Sequence, residues 1–122
     1  MSGNEVCFTA AYTEFMQTQG YKIVLPAANE LQIDIDTVEM QERFNESVGV
    51  FFQYITPEDV KETPSESGLP CKHITIKLPF DVTVWQRLAL QAALGSDNIR
   101  EILSCIQHLN GDPTPTCFKE VK

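Results

Sequence analysis

Residues 29–44 read NELQIDIDTVEMQERF, and the division of this stretch decides the fold. Leu31, Ile33 and Ile35 alternate with Gln32, Asp34 and Asp36 at period two, the spacing of a strand with one apolar face. The alternation stops at Thr37. Beyond it Met40, Phe44, Val48, Phe51 and Phe52 recur at helical spacing, Thr37 stands where a cap belongs, and Glu39 lies in the first turn, where negative charge is favoured. A strand followed by a helix is therefore expected, with the isoleucine set on the core and both aspartates leaving the sheet on its other face.

Working outward, residues 5–18 place Phe8, Ala11, Tyr12 and Phe15 on one side of an amphipathic helix that stops at Gly20, and YKIVLP is a short apolar strand. Downstream, DVKETPS is a plausible strand and SESGLP a turn by composition. KHITIKLP points Ile74, Ile76 and Leu78 one way and His73, Thr75 and Lys77 the other. Thr83 caps VWQRLALQAALG, and Ser96 or Asp97 opens NIREILSCIQHL, which ends at Asn110 and Gly111. These two helices are expected to complete the core. The last twelve residues, GDPTPTCFKEVK, read as an extended strap or loose end. The fold class is α+β: a small antiparallel, RRM-like sheet of three or four strands, helices packed on one face, and the acidic, histidine-bearing face open. One domain over 1–122 is expected, with a helix at 5–18, a core at 21–79, a helical pair at 83–110 and a tail at 111–122.

Composition narrows the function classes. The chain has 122 residues, 43% of them hydrophobic and 21% charged, which suits one globular domain. No apolar run approaches the roughly 20 residues of a membrane span, and the first residues lack the basic start and apolar block of a secretory leader, so a soluble cytoplasmic protein without membrane partners is expected. Cys7, Cys71, Cys105 and Cys117 form no CxxC pair, which argues against zinc and for reduced thiols. Nine Lys plus Arg against seventeen Asp plus Glu give a net charge of −8, which disfavours tight non-specific binding to DNA.

Two carboxylates at i and i+2 of one strand project side by side and repel each other. A divalent cation such as Mg2+ or Mn2+ resolves that repulsion, and the alternative is a solvated face on which both meet only water. The downstream segment TPSESGLPCKHITI adds a small-residue turn and a histidine that should stand on the same sheet face as Asp34 and Asp36. Such a turn holds phosphate oxygen through its amides.

In these residues the chain resembles the archaeo-eukaryotic primase and primase-polymerase superfamily, in which a strand bearing DxD, a helix, and a strand preceded by a Ser-Gly turn and opened by histidine follow in that order. LQIDID, SESG and KHITI stand in that order here, and the likeness covers about Glu30 to Leu78. The chain also looks like a group of small phage proteins that carry the run LPF-VT---R-ALQAALGSD. The resemblance implies Asp34 and Asp36 as catalytic metal ligands for Mg2+ or Mn2+, and His73 as a catalytic residue in contact with phosphate. It further implies Ser65, Ser67, Gly68 and Lys72 as nucleotide contacts. It implies binding of a nucleotide or a nucleic-acid end, with nucleotidyl transfer in DNA replication where activity is retained, and the host-cell cytoplasm as location. Members add a third acidic residue on a later strand. No strand is evident after His73, and Asp81 and Asp97 are the nearest candidates.

Two other classes fit the same residues. An acidic phage-type protein with no chemistry could occupy the basic groove of a host or anti-viral enzyme. Residues 72–109 also fit ribbon-helix-helix grammar, in which His73, Thr75 and Lys77 of an intertwined dimer would enter the major groove of DNA. Arg87 and Arg100 stand on helices beside acidic neighbours and are expected to be solvated, although Arg100 could reach a phosphate if its helix packs under the open sheet face. The sequence fixes no oligomeric state.

Overall fold

The computed structural model describes residues 14–65, 68 and 70–121. In order these form α1 (14–18), β1 (Tyr21–Val24), β2 (Glu30–Ile35), α2 (Val38–Tyr54), β3 (Asp59–Pro64), β4 (Lys72–Lys77), α3 (Val84–Ala93), α4 (Asn98–Leu109) and β5 (Phe118–Val121). Of the helix expected over 5–18, residues 5–13 lie outside the described residues. The α+β class holds, with a three-stranded antiparallel sheet in the order β2-β4-β3 and a two-stranded antiparallel sheet of β1 and β5.

The strand and helix expected from residues 29–44 form as read. Leu31 faces Ile76 and Ile33 faces Ile74 across the β2–β4 pair, and all four are fully buried with Ile35 and Leu78. Helix α2 covers this face with Phe44, flanked by Met40, Val48, Phe51 and Phe52, and Leu94 at the end of α3 closes the cluster. Thr37 caps α2 by accepting from the Met40 amide at 3.1 Å. The Thr83 hydroxyl accepts from the Gln86 amide and the Gln86 side chain accepts from the Thr83 amide, a reciprocal cap that starts α3 sharply. Gly95 ends α3 at φ +88, and a Cβ there would stand 3.3 Å from the Phe44 amide, so both its backbone angle and its close approach to α2 call for glycine.

Three expectations are corrected. Of the two readings of the tail, strap or loose end, the extended one forms, and it ends in a strand: β5 returns to pair with β1, Val24 against Phe118, so the expectation that no strand follows His73 is corrected. The second sheet face is not open. Gln32 is 1% exposed, and His73 and Asp34 keep only 14% and 19% of their side-chain surface. The third correction concerns α4, whose apolar side does not complete the core. Its buried residues are Glu101 and Ser104, while Ile99, Ile102, Leu103, Ile106 and Leu109 are exposed.

The reason for the inversion is the outer edge of β2. Among the described residues no strand lies beyond this edge, and its backbone groups must find other partners. The Arg87 Nε donates to the Glu30 carbonyl at 2.8 Å, and the Gln91 Oε1 accepts from the Gln32 amide at 2.8 Å. Arg100 donates to the Gln32 carbonyl at 2.6 Å, the Ser96 hydroxyl accepts from the Asp34 amide at 2.9 Å, and the Asp97 amide donates to the Asp34 carbonyl at 2.9 Å. Helix α3, the turn after it and the start of α4 thus complete β2 with side chains in place of a further strand. Polar residues of α4 are drawn inward, and the apolar stripe turns out.

Candidate metal centre

Asp34 stands near the end of β2 on the polar face, directly opposite His73 of β4, and Asp36 follows where the strand ends. Asp97 caps α4, one of its carboxylate oxygens accepting from the Ile99 amide at 3.0 Å. Its amide is bonded to Asp34, so the bond that completes the sheet edge also delivers a third carboxylate to the pair. One carboxylate oxygen from each of Asp34, Asp36 and Asp97 lies within 4.8 Å of the other two. Oxygens around an octahedral Mg2+ at about 2.1 Å stand about 3 to 4 Å apart, so small side-chain rotations would bring the three into one coordination sphere.

The electrostatics of the cluster are strained. Burial raises the Asp34 carboxyl above its ordinary value, the Arg100 charge opposes this, and Asp97 and Glu101 add to it. Burial, the Asp34 charge and a side-chain hydrogen bond with Asp97 push Asp36 up to about 6. A hydrogen bond between two carboxyl groups requires a proton on one of them.

His73 Nε2 stands 3.8 Å from Asp34 Oδ1. Its ring stacks flat on Phe118, with centroids 4.1 Å apart and planes within 3°. Phe118 is 4% exposed, and the Arg100 guanidinium lies 5.1 Å from its ring centre. His73 is thereby held beside Asp34 by ring stacking, at a distance longer than a hydrogen bond.

Compared with protein-family models, curated proteins and solved structures, the chain matches none.

The remaining expected residues divide. The turn after β3 lies at the same end of the sheet as the carboxylates, and the Cys71 thiol donates to the Asp36 carbonyl at 3.4 Å. Gly68 adopts φ +78, as a turn glycine should. Three of the described turn amides, however, serve the turn: Ser65 N–H donates to the Cys71 carbonyl, Gly68 N–H to Ser65 and Cys71 N–H to Gly68, at 3.1, 3.0 and 2.9 Å. Ser67 lies outside the described residues. Lys72 alternates to the face opposite His73 and pairs with Glu62 at 3.4 Å, so it is not brought to the cluster. Asp81 is exposed just ahead of the Thr83 cap and takes no part, leaving Asp97 as the third acid.

Arg100 also differs from its expected role. It donates to Gln32, to Glu101 at 2.9 Å and to the Cys117 carbonyl at 3.2 Å, which commits it to joining α4, β2 and the tail. Phe118 is a site residue that sequence reasoning missed. A lone phenylalanine in a proline-containing tail carries no signal of the ring it will cover.

Proposed function

We propose that this chain holds a divalent cation, Mg2+ or Mn2+, between Asp34, Asp36 and Asp97 and through it binds the phosphate of a nucleotide or a nucleic-acid end. One observation carries the reading: three carboxylates from two separate elements converge within 4.8 Å, and burial together with the Asp34 and Asp97 neighbours raises Asp36 to about 6. The cation is the principal phosphate contact, since the turn amides of Ser65 and Gly68 are bonded internally. His73 orients Asp34. Its primase-like role is accordingly that of a positioning residue, and any nucleotidyl transfer would depend on the metal to stabilise charge on the transferred phosphate.

Titration calorimetry with Mn2+ tests this directly. Binding is expected in the wild type and is lost in the Asp34→Asn, Asp36→Asn double variant. A nucleoside triphosphate is then expected to bind only with the cation present. Silence toward Mn2+ in the wild type, or binding that survives both substitutions, overturns the reading.

A second reading, an acidic body that occupies a host or anti-viral enzyme, is favoured by the net charge of −8 and by the internal bonding of the turn. It requires no cation. Ribbon-helix-helix geometry is disfavoured, because β4 is the central strand with β2 on one edge and β3 on the other, and has no edge left for a partner's strand.

A further inference from the structure

We infer that the outward face of α4 is the surface through which two copies of this chain associate. Ile99, Ile102, Leu103, Ile106 and Leu109 are 64%, 54%, 51%, 48% and 73% exposed, and their spacing of three and four forms one unbroken stripe along the helix. Single exposed aliphatics are ordinary, but five in register on one helix are not. The orientation is also fixed. Rotating α4 to bury the stripe would break the bonds of Arg100 to Gln32 and of Glu101 to Gln91.

Area and charge select the occupant. With about 200 Å2 of full surface per Ile or Leu, these exposures leave roughly 600 Å2 of aliphatic surface, at the upper end of what a monomer's largest apolar patch reaches. Two such faces would bury roughly 1,200 Å2 in all, the lower end of what a specific interface needs. In a chain of nine basic and seventeen acidic residues, the exposed positions of α4 are Asn98, Ile99, Ile102, Leu103, Ile106, Leu109 and Asn110, none of them charged. The face offers nothing to a charged groove. What it matches is another uncharged aliphatic stripe of the same spacing, and a second copy supplies one: two such helices interdigitate about a two-fold axis, each presenting the same residues to the other.

Sedimentation of the full chain across the micromolar range tests the inference. The wild type is expected to reach the mass of two chains, and added salt to strengthen association by screening the −8 charges on each copy. Ile102→Glu with Ile106→Glu is expected to weaken dimerisation by about a hundredfold or more, with the far-UV spectrum unchanged because both side chains are exposed. Ile102→Lys with Ile106→Lys lowers the net negative charge and should nevertheless separate the copies, so added repulsion cannot account for the loss. Ile106→Gln, a milder change, should weaken the pair by a smaller factor without risk to folding. A wild type that stays at the mass of one chain at high salt overturns the inference, whether the stripe is covered by another segment of the chain or by a different protein. So does a dimer that survives the paired substitutions.

Discussion

The two faces of the central sheet are both covered, but by different physics. On one, Leu31, Ile33, Ile35, Ile74 and Ile76 pack against Phe44 and its neighbours on α2, a non-directional contact that depends on area and volume. On the other, Gln32, Asp34 and His73 lie under Arg100 and Phe118, and each neighbour is placed by a named bond or ring contact. An apolar face can shift by a rotamer and keep most of its energy. A polar face cannot, since each displaced partner leaves a buried group unsatisfied. That stiffness is what sets Asp97 beside Asp34, so the candidate metal centre inherits its geometry from the way the edge of β2 is completed.

Paired substitutions are the first way to break this contrast. Arg100→Met keeps a long side chain but strips Glu101, which is 3% exposed, of its cation and leaves the Gln32 carbonyl bare. A loss of about 3 to 5 kcal/mol in denaturant unfolding is expected, as for a buried pair with one partner removed. Ile33→Val, on the opposite face of the same strand, should cost only about 1 kcal/mol. Equal losses at the two positions would erase the distinction.

A subtler test is Ser96→Ala. It removes the hydroxyl that accepts from the Asp34 amide at 2.9 Å in a position 1% exposed, so about 1 to 3 kcal/mol of stability should go with it. The change touches no carboxylate. Because Ser96 immediately precedes the Asp97 cap, Mn2+ affinity measured by calorimetry should nonetheless fall. Unchanged affinity in a folded variant would show that the cluster does not depend on the completed edge.

The contrast also explains what could be read from the sequence. The apolar face was legible, because period-two alternation in ELQIDI and KHITIK states which residues share a side, and Thr37, Thr83 and the pair Ser96–Asp97 mark helix starts through local chemistry. That Asp34 and His73 share a face followed from the same alternation, but their direct opposition did not, because alternation carries no register. The polar cover was not legible. Its partners lie 57 to 68 residues from β2, and nothing local to Gln91, Ser96 or Arg100 announces that a strand edge needs them. Helical spacing in NIREILSCIQHL shows that α4 has an apolar stripe but not which way the stripe faces, and the inward reading was the wrong one. β5 escaped notice for a related reason: four residues beyond two prolines show too little alternation, and their partner strand begins at Tyr21.

The smallest expected effect is a pH slope, and its sign separates a cluster that holds a proton from one that holds a cation. Asp36 titrates near 6 in the folded chain against an ordinary 3.8, so the folded state binds more protons than the unfolded one between those values. Stability from this group is complete below about 4 and is lost as pH rises through about 6. Asp34, also raised, acts in the same direction. In a chelator, thermal midpoints of the wild type should fall from pH 4.5 to pH 7.5 relative to those of Asp36→Asn, which cannot titrate there. The difference is modest, because Asp36 is exposed and solvent screens its neighbours. With Mn2+ in excess the order is expected to reverse: a bound cation would compete with the proton, so the wild type should gain on the variant as pH rises. A wild type that tracks Asp36→Asn across the whole range, with and without Mn2+, would mean that the three carboxylates do not act on one another and that the convergence has no chemical consequence.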